Sequence, residues 1–357
     1  MTPFNLKQHI SEYRQDPLSG RWVIIAEERA NRPNQFDAVA ETQEESWHRN
    51  CPFCPGHEKE TPEEIDAIRP EDSRENDSRW LARVVPNRFP AITRDCPWNN
   101  GLLPHFGETF FFHKTAIPGY GAHEVLIESP RHLFSVTEFD DVEILNMFRL
   151  YQKRLQSLRS ENHWGHVLIF KNVGAAAGAS LSHTHSQLMA MPFVPPPILN
   201  ELRHATEFRE NKHRCYWCDM IKHELSEKVR VVAESEHFLL ICPFACRFPM
   251  EISIFPKEHV SHFESLSENR VDELAFFVRK SVQILEKAVY WTREPLSYNM
   301  ILKSAPFQTS SFDPEIYHFH LTILPSLAKA AGFEWGTGLH INPISPETAA
   351  TKLREFV

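Results

Sequence analysis

The run Ser180-Leu181-Ser182-His183-Thr184-His185-Ser186-Gln187 holds two histidines one residue apart and a glutamine two residues further on. Side chains alternate faces along a strand, so a strand here sets His183, His185 and Gln187 on one side and Thr184 and Ser186 on the other. Two imidazoles and a carboxamide in a row suit phosphate chemistry. One group holds a metal or orients its neighbour, one is a nucleophile, and one donates to phosphate oxygens. A half-buried strand with hydrogen-bonded histidines has the same spelling, and H-x-H alone does not separate the two.

The cysteines help to separate them. Four of the seven fall in two C-x-x-C pairs, Cys51-Pro52-Phe53-Cys54 and Cys215-Tyr216-Trp217-Cys218. In a reducing compartment such pairs are metal knuckles or redox motifs more often than disulfides. Cys96, Cys242 and Cys246 read as small core fillers. A closed zinc site takes four Cys/His ligands. Cys51 and Cys54 with His132 and His183 make one set; Cys215 and Cys218 with the correspondingly placed His259 and His318 make a second. The rival is a thioredoxin-type pair, which opens a helix after a strand, and neither C-x-x-C is spelled that way.

If His183 binds metal, His185 is left free. A neutral imidazole, with its reference pKa of about 6.5, attacks phosphorus without a strong base. Its other nitrogen must then give a proton to a fixed acceptor. Gln187 supplies an uncharged donor for non-bridging phosphate oxygens. The loop from Asn172 to Ser180, rich in Gly and Ala, lets backbone N–H groups come close to a phosphate. His48, His57, His213 and His262 read as structural or solvent-facing, and so does His320, although it stands out by its place two residues after His318.

The elements that must position these groups are spelled twice. The first half runs through C-x-x-C, a strand at Leu81 to Val85, a strand at His123 to Ile127 leading into Pro130-Arg131-His132, and a helix over roughly Asp140 to Ser160. A strand at Val167 to Phe170 follows, then the His183/His185 strand ending in Pro192. The helix is read from Ile144, Met147, Phe148, Tyr151, Leu155 and Leu158 at helical spacing. The second half repeats the pattern: C-x-x-C, strands at Val229 to Val232, Phe238 to Ile241 and Glu251 to Phe255, then Pro256-Lys257-Glu258-His259. A helix with Val271, Leu274, Val278, Val282 and Leu285 on one face comes next, and strands at Asn299 to Leu302 and Tyr317 to Pro325 close the half. This reads as an internal duplication. The prolines between 192 and 197 mark a boundary, giving domains 1–195 and 196–357 joined by a helical element over Ile198 to Glu210. Residues 56–80, rich in Glu and Asp, read as a solvated loop with a short helix beginning at Thr61-Pro62.

At 357 residues, 42% hydrophobic and 24% charged, the chain has the length for two globular domains. Its formal charge of −9 argues against nucleic acid as a partner. The first residues do not spell a signal peptide and no apolar run is long enough to span a bilayer, so a cytoplasmic enzyme without a membrane partner is expected.

These motifs make the chain similar to the galactose-1-phosphate uridylyltransferase family, a branch of the histidine-triad superfamily. The likeness runs from Arg21-Trp22-Val23-Ile24-Ile25 to Gly332-Phe333-Glu334-Trp335-Gly336-Thr337-Gly338. It implies an α+β fold of two fused histidine-triad-like half-barrels, antiparallel sheets with flanking helices, related by a pseudo-twofold duplication. It also implies a ping-pong reaction. A histidine takes a nucleoside monophosphate from a nucleotide sugar, releases the sugar 1-phosphate, and passes the nucleotidyl group to a sugar 1-phosphate or to inorganic phosphate. By position, His185 resembles the nucleophile and Gln187 its phosphate-oxygen partner. Arg29, Arg32, Asn87, Asn172, Gly178 and Ser180 fall where the family contacts nucleotide and phosphates. The resemblance further implies zinc at both Cys/His sets and a homodimer.

Three departures point within the family. Thr184 stands where the best-known uridylyltransferases have proline, and Gly336-Thr337-Gly338 where they place a Tyr-Glu pair on the hexose. The second C-x-x-C set is also not universal. All three resemble the ADP-glucose phosphorylase branch, whose members move AMP from ADP-glucose to phosphate. Two other readings are a histidine-triad hydrolase, disfavoured by Gln187 in place of a third histidine, and a non-catalytic zinc-binding protein, disfavoured by the lack of a basic cluster.

Overall fold

Helix α1 (Asp141–Ser160) forms where its apolar spacing demands it and starts where its cap allows. The Asp140 carboxylate accepts from the Glu143 backbone N–H, and the Glu143 carboxylate accepts from that of Asp140, each at 2.9 Å. Ile144, Met147, Phe148, Tyr151, Leu155 and Leu158 are buried along one stripe. The second long helix, α4 (Glu268–Ala288), buries Val271, Leu274, Val278, Val282 and Leu285 in the same manner and packs against α1. The two helices share one apolar core with the strands beneath them.

The computed structural model describes residues 11–27, 51–95, 119–290, 295–309 and 312–357. In chain order the strands are β1 (Glu12–Gln15), β2 (Trp22–Ile25), β3 (Asp66–Ile68), β4 (Ala82–Pro86), β5 (Ala122–Ile127), β6 (His166–Val173), β7 (His185–Met191), β8 (Val231–Glu234), β9 (Phe238–Ile241), β10 (Ile252–Pro256), β11 (Tyr298–Lys303), β12 (His320–Pro325) and β13 (His340–Asn342). Between them lie α2 (Pro196–Lys212), α3 (Tyr216–Glu227) and α5 (Gly332–Thr337), and α6 (Pro346–Arg354) closes the chain.

Ten strands make one sheet in the order β3-β4-β5-β7-β6-β11-β12-β10-β9-β8. Every neighbouring pair in it is antiparallel. At its centre β6 pairs with β11, Tyr298 opposite Val173. Outward from that pair the order is β7, β5, β4, β3 on one side and β12, β10, β9, β8 on the other. A separate three-stranded sheet, β1-β2-β13, ties the N-terminal hairpin to the C-terminal segment, with β13 parallel to β2. The architecture is α+β, with the ten-stranded sheet antiparallel as expected and the three-stranded one mixed.

Some local expectations fail. Residues 56–80 contain β3, and the helix expected at Thr61 is absent; a single 3-10 turn at Glu58–Glu60 precedes it. The rest of that stretch is turn and irregular backbone, as its charged composition suggests, and β3 is a short edge strand whose outer side faces no partner. Cys215 caps α3 instead of preceding a bare loop, so the second C-x-x-C does open a helix, though one that follows α2 and not a strand. His183 lies in the turn before β7 rather than in the strand.

Candidate active site and metal centres

Strand β7 carries the histidine motif between β5 and β6. Its two faces divide as alternation requires. On the helix side, Glu128 accepts from Lys171 Nζ, from Thr184 Oγ1 (2.7 Å), from the Ser186 hydroxyl and from the Tyr151 hydroxyl (2.6 Å). Lys171 Nζ also donates to Thr184 Oγ1 (2.6 Å) and to the His185 carbonyl (3.2 Å). The whole group is buried. Burial opposes the charge on Glu128, but Lys171 and the hydroxyls outweigh it and hold the carboxyl below its usual range.

On the opposite face, His185 Nδ1 donates to the His183 carbonyl at 2.8 Å. That bond fixes the tautomer and leaves Nε2 with the lone pair. Burial, with the charge of Lys171 adding to it, keeps His185 below the ordinary imidazole value, so the ring is neutral at pH 7. The Phe53 ring packs edge-on to it with centroids 5.2 Å apart. The sequence reading missed Phe53, although its place inside the first C-x-x-C was the available signal.

Gln187 is oriented by His123, a second residue missed. The Ala91 backbone N–H donates to His123 Nδ1 (3.1 Å), so the proton sits on Nε2 and goes to Gln187 Oε1 (2.8 Å). The Gln187 amide therefore keeps its NH2 for another acceptor. Asn87 Nδ2 lies 3.1 Å from the same His123 nitrogen, which places Asn87 beside this pair.

Continuing the β6–β7 register (Phe170 opposite Gln187) sets Asn172 across from His185. Asn172 Oδ1 accepts from Asn299 Nδ2 (2.8 Å), which also donates to the Ala177 carbonyl (2.9 Å). The loop between β6 and β7 is thereby pinned to β11. Gly174 sits at φ +79°, and a Cβ there would lie 2.1 Å from Ser297 Oγ, so only glycine fits. Gly178 and Ser180 are exposed on this loop. Arg29, Arg32, His48 and Cys96 lie outside the described residues.

Both Cys/His sets come together. The ligand atoms of Cys51, Cys54, His132 and His183 lie within 4.8 Å of one another, as do those of Cys215, Cys218, His259 and His318. In the first set the Nδ1 atoms face sulfur, Cys54 to His132 at 3.4 Å and to His183 at 3.5 Å. The Nε2 atoms are held from behind by Ser182 Oγ and the Ser129 carbonyl, each at 2.9 Å. In the second set Cys218 Sγ lies 3.5 Å from His259 Nδ1, and the Nε2 atoms of His259 and His318 meet the Glu315 and Pro256 carbonyls at 2.9 Å. Two thiols and two backed imidazoles fit a tetrahedral soft-metal centre. Burial and the adjoining Cys51 push the Cys54 thiol up to about 12, a cost that a bound cation reverses.

Residues 2–195 match the model of the galactose-1-phosphate uridyl transferase N-terminal domain, and residues 201–356 that of its C-terminal domain. ADP-glucose phosphorylase of Arabidopsis thaliana is 34% identical over 96% of this chain and 92% of its own length. Galactose-1-phosphate uridylyltransferase of Thermotoga maritima is 30% identical over 96% of this chain and 98% of its own. The crystal structure of the Arabidopsis phosphorylase with bound ADP-glucose superposes with a TM-score of 0.79 at 33% identity, covering 98% of this chain and 100% of that one. With both halves matched and such relatives spanning nearly its full length, the chain belongs to the galactose-1-phosphate uridyl transferase family and is a nucleotidyltransferase.

Proposed function

We propose that this enzyme transfers a nucleoside monophosphate from a nucleoside-diphosphate sugar to an acceptor phosphate through a covalent nucleotidyl-His185. The observation that carries the reading is the His185 Nδ1 bond to the His183 carbonyl, which aims a neutral Nε2 lone pair away from the sheet. Nε2 attacks the α-phosphorus. The bond from phosphorus to the bridging oxygen breaks, and the sugar 1-phosphate leaves with that electron pair. The positive charge arising on the ring is shared with the Nδ1–H and its carbonyl acceptor. An oxygen of the acceptor phosphate then attacks phosphorus, the P–N bond breaks, and His185 returns to its neutral form. The Gln187 NH2, held by His123, donates to a non-bridging oxygen, and the loop backbone around Gly178 and Ser180 offers further donors. Arg29, Arg32, Asn87 and Asn172 complete the substrate contacts.

Zinc is the metal we assign to both Cys/His sets, since two thiolates and two imidazoles select it. Its contribution is structural: at the first set it ties the Cys51–Cys54 knuckle, and with it Phe53, to the turn that carries His183. The mirrored strand order supports an internal duplication with domains 1–195 and 196–357. Exposed Tyr13, Trp22, Phe333 and Trp335, carried by the three-stranded sheet and the helix beside it, support a homodimer. No described helix is long and apolar enough to cross a membrane, and we assign the enzyme to the cytoplasm.

For the donor and acceptor we favour ADP-glucose and orthophosphate. The Gly336-Thr337-Gly338 segment offers no carboxylate to a hexose, and a relative of 34% identity is an ADP-glucose phosphorylase. UDP-glucose with a hexose 1-phosphate is the second reading, supported by the Thermotoga relative. Intact-mass analysis of metal-loaded protein mixed with either nucleotide sugar decides. An AMP adduct supports the first, a UMP adduct the second, and absence of both overturns the covalent mechanism.

A further inference from the structure

The second half of the sheet holds a histidine in the posture of His185, and the reaction above does not use it. Strand β12 pairs His320 with Lys303 of β11, the position that Asn172 takes beside His185. His320 Nδ1 donates to the His318 carbonyl at 3.0 Å, and Nε2 has no partner among the described residues. Its ring lines a cavity of about 120 Å³ walled by Tyr216, Trp217 and Phe255. No glycine loop follows β11, where the chain reads Ser304-Ala305-Pro306-Phe307. The glycine loop of the first half has no counterpart here, and we read the chemistry of the cavity as binding.

The charged groups of the cavity say what it binds. Four carboxylates line it, and each accepts at least one hydrogen bond, with Glu224 Oε2 the one oxygen among them that is buried without a partner. Glu201 accepts from Lys303 (3.0 Å) and Tyr317 (2.9 Å), and Glu224 from Arg230 (2.6 Å). Glu251 takes the Arg247 backbone N–H (2.7 Å), and Asp16 takes that of Ser19 (2.7 Å). The guanidiniums are not so engaged. Arg21 makes no side-chain hydrogen bond among the described residues, and its nearest carboxylate oxygen, on Asp16, is 3.8 Å away. Arg247 reaches Glu251 only with Nη2, at 3.3 Å, and the Nε atoms of both arginines are buried without a partner. The two cations line the same cavity, and the charge of Arg247 adds to burial in lowering the pKa of Arg21. Two adjoining guanidiniums with spare donors are stabilised by an anion between them, and their planar forks match phosphate oxygens.

We propose that this cavity is a second, non-catalytic site that binds the phosphate group of a small molecule through Arg21 and Arg247. His320 Nε2 accepts from a hydroxyl of the ligand. Orthophosphate and the phosphate of a nucleoside monophosphate share this chemistry; in the second case the base packs on the Trp217 and Tyr216 rings. The site stands independently of the role given to His185.

Full-length, metal-loaded protein is crystallised with tungstate as a phosphate mimic, and binding of orthophosphate and of AMP is measured by equilibrium dialysis. The proposal expects an anomalous peak between Arg21 and Arg247 and one anion-binding equivalent per chain beyond that near His185. Arg21→Met and Arg247→Met each weaken that equivalent by about tenfold or more, with nucleotidyl-His185 formation unchanged. Orthophosphate bound with AMP excluded identifies the free anion; AMP displacing orthophosphate identifies the nucleotide. Wild-type protein with tungstate only near His185 or on the outer surface, or anion binding indifferent to both substitutions, overturns the proposal. The crystallographic arm holds even where a variant folds poorly.

Discussion

At the scale of single residues, His185 and Gln187 are distinguished by what holds them. A backbone carbonyl fixes the first and an imidazole fixes the second. His185→Asn keeps a polar side chain but has no nucleophilic nitrogen, so no nucleotidyl adduct should appear by intact mass. Gln187→Ala removes one preorganised donor and should slow adduct formation by about 10²-fold with little change in donor affinity, measured by rapid quench. His123→Phe should act in the same direction but more weakly, since it frees the amide to rotate without removing it. Behind the strand, Lys171→Met strands the buried Glu128 charge. It should cost about 3–5 kcal/mol of stability in a denaturant titration, while Lys171→Met combined with Glu128→Gln should recover part of that loss.

Among the elements, the β6–β7 loop depends on geometry that no larger side chain tolerates. Gly174→Ala meets Ser297 at a positive φ, so the loop must move and the phosphate donors with it. A fall in the rate of adduct formation of about 10² is expected from a shift on the order of 1 Å, with folding largely kept. Much of this level was legible beforehand. Helix α1 and strands β4, β5, β9 and β11 lie within a residue or two of their expected bounds, α1 and β11 because one buried face sets their apolar period, and β4, β5 and β9 because burial on both faces makes them largely apolar runs. Strand β3 was not legible, since a three-residue edge strand has too few buried positions to show a period. Strand β13 is similar: it is held by pairing with β2, hundreds of residues away in sequence. The four-ligand sets were visible because C-x-x-C and its histidines repeat. His123 and Phe53 were hidden because their roles come from strand pairing and knuckle packing, which no local spacing encodes.

Over the whole molecule, the metal sets and buried histidines couple folding to solution conditions. A strong chelator should release two zinc ions per chain and lower the melting temperature, and Cys51→Ser should leave one, as counted by metal analysis. Burial holds His166 at about 4, below its ordinary value. The unfolded chain therefore binds a proton that the folded one refuses between pH 6.5 and 4. The stability this group contributes is full above pH 6.5 and is lost as pH falls through that window. Urea midpoints at pH 7 and pH 5 should differ more for the wild type than for His166→Leu. The central β6–β11 pairing has a consequence of another kind. A seam zipped by main-chain hydrogen bonds is a poor hinge, so the strands on its two sides should move as one plate, and any closure over substrate should fall to the surrounding loops. Severing the chain near residue 196 would leave each fragment with a long unpaired central edge. Such fragments should be driven to reunite when mixed, restoring activity by complementation, and a fragment left alone should seek the same edge on its twin.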